Sequence, residues 1–350
     1  MTLEQAENVR MLRDSAAAVV PDGSLARIRA LRFGLSGIDR GTWRQMAAMG
    51  WLGLLVPEDR DGAGLGMTEG CALAEVLAEG LVPEPLTLCT SIAPLLPQDV
   101  LDRVLAGDCI ALPAWQEGAD TVLPGNGATV VGARVSGRKV FIPMAAAADL
   151  FLVAAGPALV LVEAHAPGAM LETAQTQDGG HLGTLTLEGA PCRPVEGGIA
   201  DAIETATLLT AAGLLGVMER SFALTLDYLR TRKQFGRAIG SFQALQHRAA
   251  DLKLQIALTR ASVEGAAALL DRDADPARRL AAVSRAKARA ATAAILVTRE
   301  AIQMHGGIGY TDECDVGLYL RRAMVMANQF GSARLHRARC AATMPEVSDD

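Results

Sequence analysis

A chain of 350 residues that is 50% hydrophobic and 21% charged is too apolar to be disordered, and its length suggests two or three domains. Lys+Arg number 33 and Asp+Glu 39, so the net charge is −6 and there is no overall basic footprint for nucleic acid. Cys71, Cys89, Cys109, Cys192, Cys314 and Cys340 form no C-x-x-C pair and no tight Cys/His cluster, which argues against a zinc site or a disulfide framework. Glu4 and Glu7 stand where a secretory signal would be basic and then apolar. The uncharged run 205–218 is shorter than the roughly 18–20 residues that span a bilayer. A cytoplasmic protein with no membrane or nucleic-acid partner is expected.

Residues 1–106 read as a helical domain. Trp43, Met46 and Met49 recur at helical spacing until Gly50, 59–66 is a Gly-rich loop, 68–82 resumes the helical pattern, and 99–105 is a further short helix. The period changes over 107–200. Val130-Val131, Val135 and Val140-Phe141-Ile142 are β-type clusters separated by Gly132 and Gly137. The runs 150–154 and 158–163, joined by Ala155-Gly156-Pro157, read as a hairpin, and 181–188 alternates Leu with Thr or His. A small β domain is expected there. Residues 201–340 return to helix. Leu245, Ala249, Leu252, Ile256 and Val263 mark one helical face. Asp275-Pro276 opens a second long helix, which Gly306-Gly307 stops. The basic run from Arg278 to Arg289 reads as a solvated face of that helix, the alternative being a surface that receives a ligand's phosphates. Residues 341–350 read as an acidic tail. Helices, then strands, then helices, without βαβ alternation, indicate an α+β fold that is mainly α.

Three stretches carry a family resemblance: GWLGLLVPEDRDGAGLG (50–66), Arg232-Lys-Gln-Phe-Gly236 followed by Ile239-Gly-Ser-Phe-Gln243, and Gln303-Met-His-Gly-Gly-Ile-Gly-Tyr310. In this order and spacing they resemble the acyl-CoA dehydrogenase family over roughly residues 3–340. The resemblance implies an N-terminal helical domain, a middle β domain and a C-terminal four-helix bundle that carries oligomer contacts. It also implies FAD, an acyl-CoA substrate and an electron-transfer acceptor. Cofactor contacts are implied at Arg232, Phe235, Gln243, Gln303, Gly306, Gly307 and Ser332. The chemistry of these residues suits that role. A guanidinium presents a bidentate fork to a diphosphate, and Phe235, within two helical turns of Arg232, offers a flat apolar surface. The amides of Gln243 and Gln303 can bond ribose and adenine, and Gly306-Gly307 admits a phosphate close to the backbone. In the family such C-terminal residues commonly reach a neighbouring chain's FAD.

Where the family holds its catalytic Glu, the chain departs. Phe330 stands at the commoner base position and Ala206 at the second, with Glu204 two residues, about 200° of helix, away. The family's Thr-Glu-Pro…Gly-Ser-Asp loop is reduced to Leu112-Pro-Ala-Trp-Gln-Glu-Gly-Ala-Asp120, and Pro143 replaces its flavin-contacting Thr. These losses fall where a chain holds its own flavin and base, and the retained residues fall where it supports a neighbour's. The expectation is a dehydrogenase subunit whose homologous partner supplies the base. The alternatives are a self-sufficient homo-oligomer using a base such as Glu204, and a redox-silent scaffold. His247 and His305 read as packing or capping residues.

Overall fold

In the computed structural model, residues 2–20, 24–119, 121–272 and 275–343 are described. The first helix, α1 (Leu3–Ala16), opens on a capping box in which Thr2 and Gln5 each accept from the other's backbone N–H. After α2 (Ala26–Leu31), the Asp39 carboxylate accepts from Gly41 N at 2.8 Å to start α3 (Arg40–Ala48), which buries Trp43, Met46 and Ala47 at helical spacing. Three more helices follow: α4 (Met67–Glu79), α5 (Leu86–Ile92) and α6 (Gln98–Leu105).

Among the described residues eight strands form the middle: β1 (Ala111–Ala114), β2 (Ala128–Val131), β3 (Arg134–Pro143), β4 (Leu150–Ala155), β5 (Ala158–Glu163), β6 (Ala169–Gln175), β7 (His181–Pro191) and β8 (Arg193–Val195). They make two four-stranded sheets, ordered β1-β4-β5-β8 and β2-β3-β7-β6, with β1–β4 the one parallel pairing within them. Every residue of β4 is buried, which explains its unbroken apolar run. It turns into β5 through Gly156-Pro157, with Gly156 at φ +58 as a two-residue hairpin requires. In β7 the alternation is more selective than its sequence suggests. Leu185 and Leu187 face inward, but so do His181 and Gly183, leaving Leu182 half-buried.

The chain then returns to helix with α7 (Ala200–Thr231), a short hairpin of β9 (Lys233–Gln234) and β10 (Arg237–Ala238), and α8 (Gln243–Leu270). It ends with α9 (Pro276–His305), α10 (Val316–Met326) and α11 (Ala333–Ala341). Asp275 caps α9 through Ala277 N and Arg278 N, with Pro276 at its first position. Among the described residues α7 is the one helix long and apolar enough to cross a membrane, and that apolarity is turned inward, against α4, α8 and α9. Gly216 lets α7 meet α4, since a Cβ there would overlap the Glu75 carbonyl.

Two large apolar clusters hold these parts together. One joins the N-terminal helices to both sheets and includes Phe330; the other unites α4 with α7, α8, α9 and α10. Two expectations are corrected here. The 278–289 run is no uniform solvated face, because Lys287 within it is fully buried. The segment from Arg232 to Phe235 is not helical. Arg232 is the extended C-cap of α7, and Phe235 sits at the tip of the hairpin with φ +52. Of the expected tail, residues 344–350 lie outside the described residues.

Candidate functional site

The β9–β10 hairpin projects from the end of α7. Phe235 at its tip is 90% exposed. The ring of Phe235 meets Phe242 edge-on with centroids 6.1 Å apart, and the Arg237 guanidinium lies 4.1 Å over the Phe242 ring. Arg232 is exposed and its side chain makes no hydrogen bond or ion pair with any described residue, whereas nearby Arg230 pairs with Asp227 at 3.2 Å. Gln243 starts α8 beside this cluster and is exposed. A cation, two rings and an amide therefore face solvent together at one end of the helical bundle.

The end of α9 is drawn to the same place. Tyr228 on α7 stacks on His305 with ring centroids 4.5 Å apart, and His305 is buried and bonded through Nδ1 to Ala301 O, a packing role. Gly306 follows at φ +69, and neither Gly306 nor Gly307 has an atom within 4 Å of where a Cβ would stand. Just before them, exposed Gln303 lines a groove of about 840 Å³ between α9, α10 and the start of α11. Ser332, Asn328, Tyr310 and Arg299 share that groove. Ser332 also caps α11, accepting from Leu335 N at 3.3 Å. The structure thus places Arg232, Phe235, Gln243, Gly306 and Gly307 at one end of the bundle and brings Gln303 together with Ser332 in the adjoining groove. These exposed donors, aromatic faces and open glycines suit a dinucleotide diphosphate and its ribose.

Positions 330 and 206 have the opposite character. Phe330 is 3% exposed and Ala206 1%, both inside the cluster that spans the sheets. Phe330 takes φ +57, a conformation an L side chain rarely adopts, and its ring packs on Trp115 with centroids 4.9 Å apart. Trp115 Nε1 is buried without a partner among the described residues. Beside this pair a cleft between the N-terminal helices, the sheets and α10 is lined by Pro143, Met144, Leu209, Thr210 and Gln329, and it encloses only about 60 Å³, room for a few waters.

The cleft's charged groups are already paired. Burial pushes the Asp178 carboxyl up, but Arg322 at 2.9 Å and Thr176 outweigh it and hold the group below its usual range. Burial lowers His181, whose Nε2 accepts from Ala146 N at 2.8 Å. Glu204 does not line the cleft. Burial raises its carboxyl against the pull of Arg279, which lies 3.7 Å away on α9. Among the described residues the cleft therefore presents no unpaired carboxylate, and the space it encloses is small.

Sequence reasoning missed the aromatic partner of Phe330. Trp115 stood in the remnant loop as a lone aromatic, with nothing to show that it crosses to the C-terminal domain. It also missed Lys287 and His336, which lie beneath the turn carrying Phe330. In the fold Lys287 lies between Ala286 and Ala288 and follows the buried Val283 and Ser284 on the inner face of α9.

Comparison with known proteins follows the same outline. Residues 6–96 match the acyl-CoA dehydrogenase N-terminal domain and residues 199–344 the acyl-CoA dehydrogenase C-terminal domain. The acyl-CoA dehydrogenase IpdE2 of Mycolicibacterium smegmatis is 33% identical over 94% of this chain and 96% of its own. Among solved structures, a variant of the Tcur3481-Tcur3483 steroid ACAD superposes with TM-score 0.88 at 31% identity, covering 97% of this chain and 98% of that one. The ChsE4-ChsE5 complex from Mycobacterium tuberculosis gives 0.87 at 27% identity over 99% of both chains. Domain matches at both ends and a third of the residues shared along nearly the whole length place this chain in the acyl-CoA dehydrogenase family.

Proposed function

We propose that this chain is a subunit of an FAD-dependent acyl-CoA dehydrogenase complex, in which it builds one wall of a flavin-nucleotide site while a homologous partner supplies the catalytic carboxylate. The observation that carries the reading is the contrast between the two halves of the site. Arg232, Phe235 and Gln243 stand exposed, Arg232 without a partner among the described residues, whereas Phe330 is locked against Trp115 where the family's base would stand. α,β-Dehydrogenation removes an α proton to a carboxylate as hydride leaves the β carbon, and the bound flavin supplies the hydride acceptor. This chain offers no group for the proton at position 330 or 206. Its own part is to bind and orient: Arg232 toward the diphosphate, Gln243 and Gln303 toward ribose and adenine, and Gly306-Gly307 where the backbone must be approached.

The structural relatives named as paired chains, Tcur3481-Tcur3483 and ChsE4-ChsE5, support a two-chain assembly, and the word steroid in the first favours a bulky acyl group. A separate electron-transfer protein would take the electrons onward. Cysteines without a disulfide among the described residues suit a reducing, cytoplasmic setting. A self-sufficient enzyme using Glu204 is disfavoured by that residue's engagement with Arg279, away from the cleft.

The test is flavin content after co-purification with the Glu-bearing partner. A bidentate charged contact to phosphate contributes on the order of 1.5–3 kcal/mol, roughly tenfold to a hundredfold in affinity. Arg232→Ala is expected to lower FAD absorbance per protein at limiting FAD while the complex stays assembled, with Arg232→Lys rescuing only in part. Arg230→Ala, already paired with Asp227, is the control. Mutating the partner's carboxylate should abolish turnover and leave flavin bound. Equal FAD occupancy in the wild-type and Arg232→Ala complexes would remove the cofactor role. Full flavin and turnover in the chain purified alone would overturn the dependence on a partner, and no flavin under any condition would leave a scaffold.

A further inference from the structure

Beneath the turn that carries Phe330 lies a polar network that no cofactor role requires. Lys287 on α9 is 0% exposed and pairs with no carboxylate among the described residues. Its Nζ donates instead to three backbone carbonyls: Ala327 O at 2.8 Å, Met326 O at 3.1 Å and Gly331 O at 3.4 Å. The first two close the C-terminal end of α10, the negative pole of that helix, where a cation is favoured. One turn before Lys287, Ser284 Oγ meets Nδ1 of the buried His336 at 3.4 Å, and His336 Nε2 reaches Phe330 O at 2.9 Å. A carbonyl only accepts, so Nε2 carries the proton and Nδ1 accepts from the serine. Four carbonyls between residues 326 and 331 are thus held by two side chains, from α9 and α11. The turn they hold contains Phe330 at φ +57 and Gly331 at φ +111. Such a backbone persists only when its surroundings over-determine it.

We propose that Lys287 and His336 are positioning residues that hold the 326–331 turn in its left-handed shape and thereby press Phe330 onto Trp115, and that the protonation of Lys287 sets how tightly. An ammonium has three N–H donors for its three carbonyls. The neutral amine has two and a lone pair, so one carbonyl loses its donor on deprotonation. Gly331 O, the most distant at 3.4 Å and adjacent to Phe330, is the one released first.

The surroundings place this event near neutrality. Burial alone pulls Lys287 down to about 7. No charged group on α7, α8 or α10 contributes to that shift. On α11 the nearby titratable groups are His336, which burial and then the Lys287 charge push down to about 3, and Arg339, which lies near His336. His336 is therefore neutral across the range in which Lys287 changes state.

The inference does not depend on the subunit role, because its readout is the emission of Trp115 in the chain alone, whereas the subunit role is read from flavin content. The chain has three tryptophans, and subtracting Trp115→Phe isolates the one that touches Phe330. Between pH 5.5 and 9 the Trp115 emission of the wild type is expected to change sigmoidally with a midpoint near 7. Lys287→Met should give a flat profile resembling the high-pH form. His336→Gln keeps a donor for Phe330 O and an acceptor for Ser284, so it should retain the transition, whereas His336→Ala should shift Trp115 emission at every pH. Glu79, which also titrates near 7, is controlled by Glu79→Gln, which should leave the transition in place. A wild type with no Trp115-specific transition, or a transition that survives Lys287→Met, would overturn the proposal. So would loss of the transition in His336→Gln or Glu79→Gln. If Lys287→Met does not fold, retention in both of those variants supports it.

Discussion

Phe330 shows how one side chain decides what a site can do. Its ring lies within a packed cluster against Trp115, with Lys287 and His336 fixing the backbone beneath. Replacing it by Glu would put a carboxylate into apolar surroundings, against the orphaned Trp115 N–H at best. Phe330→Glu is expected to lower stability by roughly 2–4 kcal/mol and to give no substantial dehydrogenase activity. A base is one part of a preorganised site, and positioning contributes as much as the carboxylate itself. Thermal unfolding and a turnover assay check both halves of that statement. Two other residues tie stability to pH with opposite signs. Burial first, and Glu75 second, raise Glu79 to about 7, so between about 4.5 and 7 the folded chain holds a proton that the unfolded chain releases, and stability falls as pH rises. Lys287, lowered to about 7 from 10.5, binds its proton more tightly when unfolded, so stability climbs as pH rises from about 7 to 10.5. Together they predict a shallow stability minimum near pH 7. Glu79→Gln should remove its acid arm and raise stability at pH 8 by about 1–3 kcal/mol, with little effect at pH 4.5, measured by urea unfolding at both.

The crossing of α4 and α7 is set by their small residues. Gly213 and Gly216 lie over α4, and Gly216 sits against the Glu75 carbonyl. Backbone cannot yield there as a flexible side chain would, so Gly216→Ala should cost about 2–4 kcal/mol. Gly265 in α8 is exposed with nothing within 4 Å of a Cβ, and Gly265→Ala should stabilise the isolated chain by about 0.5–1 kcal/mol through helix propensity. Opposite shifts in urea midpoint from the same substitution would confirm the contrast. The sequence does not distinguish these two glycines, because what separates them is a contact with a helix more than a hundred residues away. Local signals were readable where local physics governs. The Asp275-Pro276 start of α9, the Gly156-Pro157 hairpin and the change of period around residue 107 all depend on near neighbours. α5 escaped notice because its seven residues are buried nearly all round and show no period. Lys287 was misread because Lys is almost never fully buried, and only tertiary packing supplies the carbonyls that receive it. The retained motif residues could be named from resemblance, but the pairing of Phe330 with Trp115 joins two domains and has no trace in either stretch alone.

Across the whole molecule, ion pairs tie the three parts at their seams. Arg40 on α3 grips Asp149 at the start of β4 through both terminal nitrogens, at 2.7 and 2.9 Å. Arg193 on β8 does the same to Asp99 on α6, and Arg322 on α10 reaches Asp178 in the loop before β7. The exposed pair adds little, but each fixes the angle between layers that also share apolar core. The seams leave the hairpin and the end of α9 facing outward while the cleft between the domains closes to a few waters' width.

The union of α4 with α7 also constrains the order in which the protein comes together on the ribosome. α4 ends at Glu79, and the helix that lies against Gly70, Ala74 and Ala78 begins at Ala200. Synthesis of the intervening chain, about 120 residues at about 5–20 residues per second, takes roughly 6–24 s. For that interval an apolar face of the emerging N-terminal segment has no partner of its own, and it is there that a holding chaperone would find its substrate.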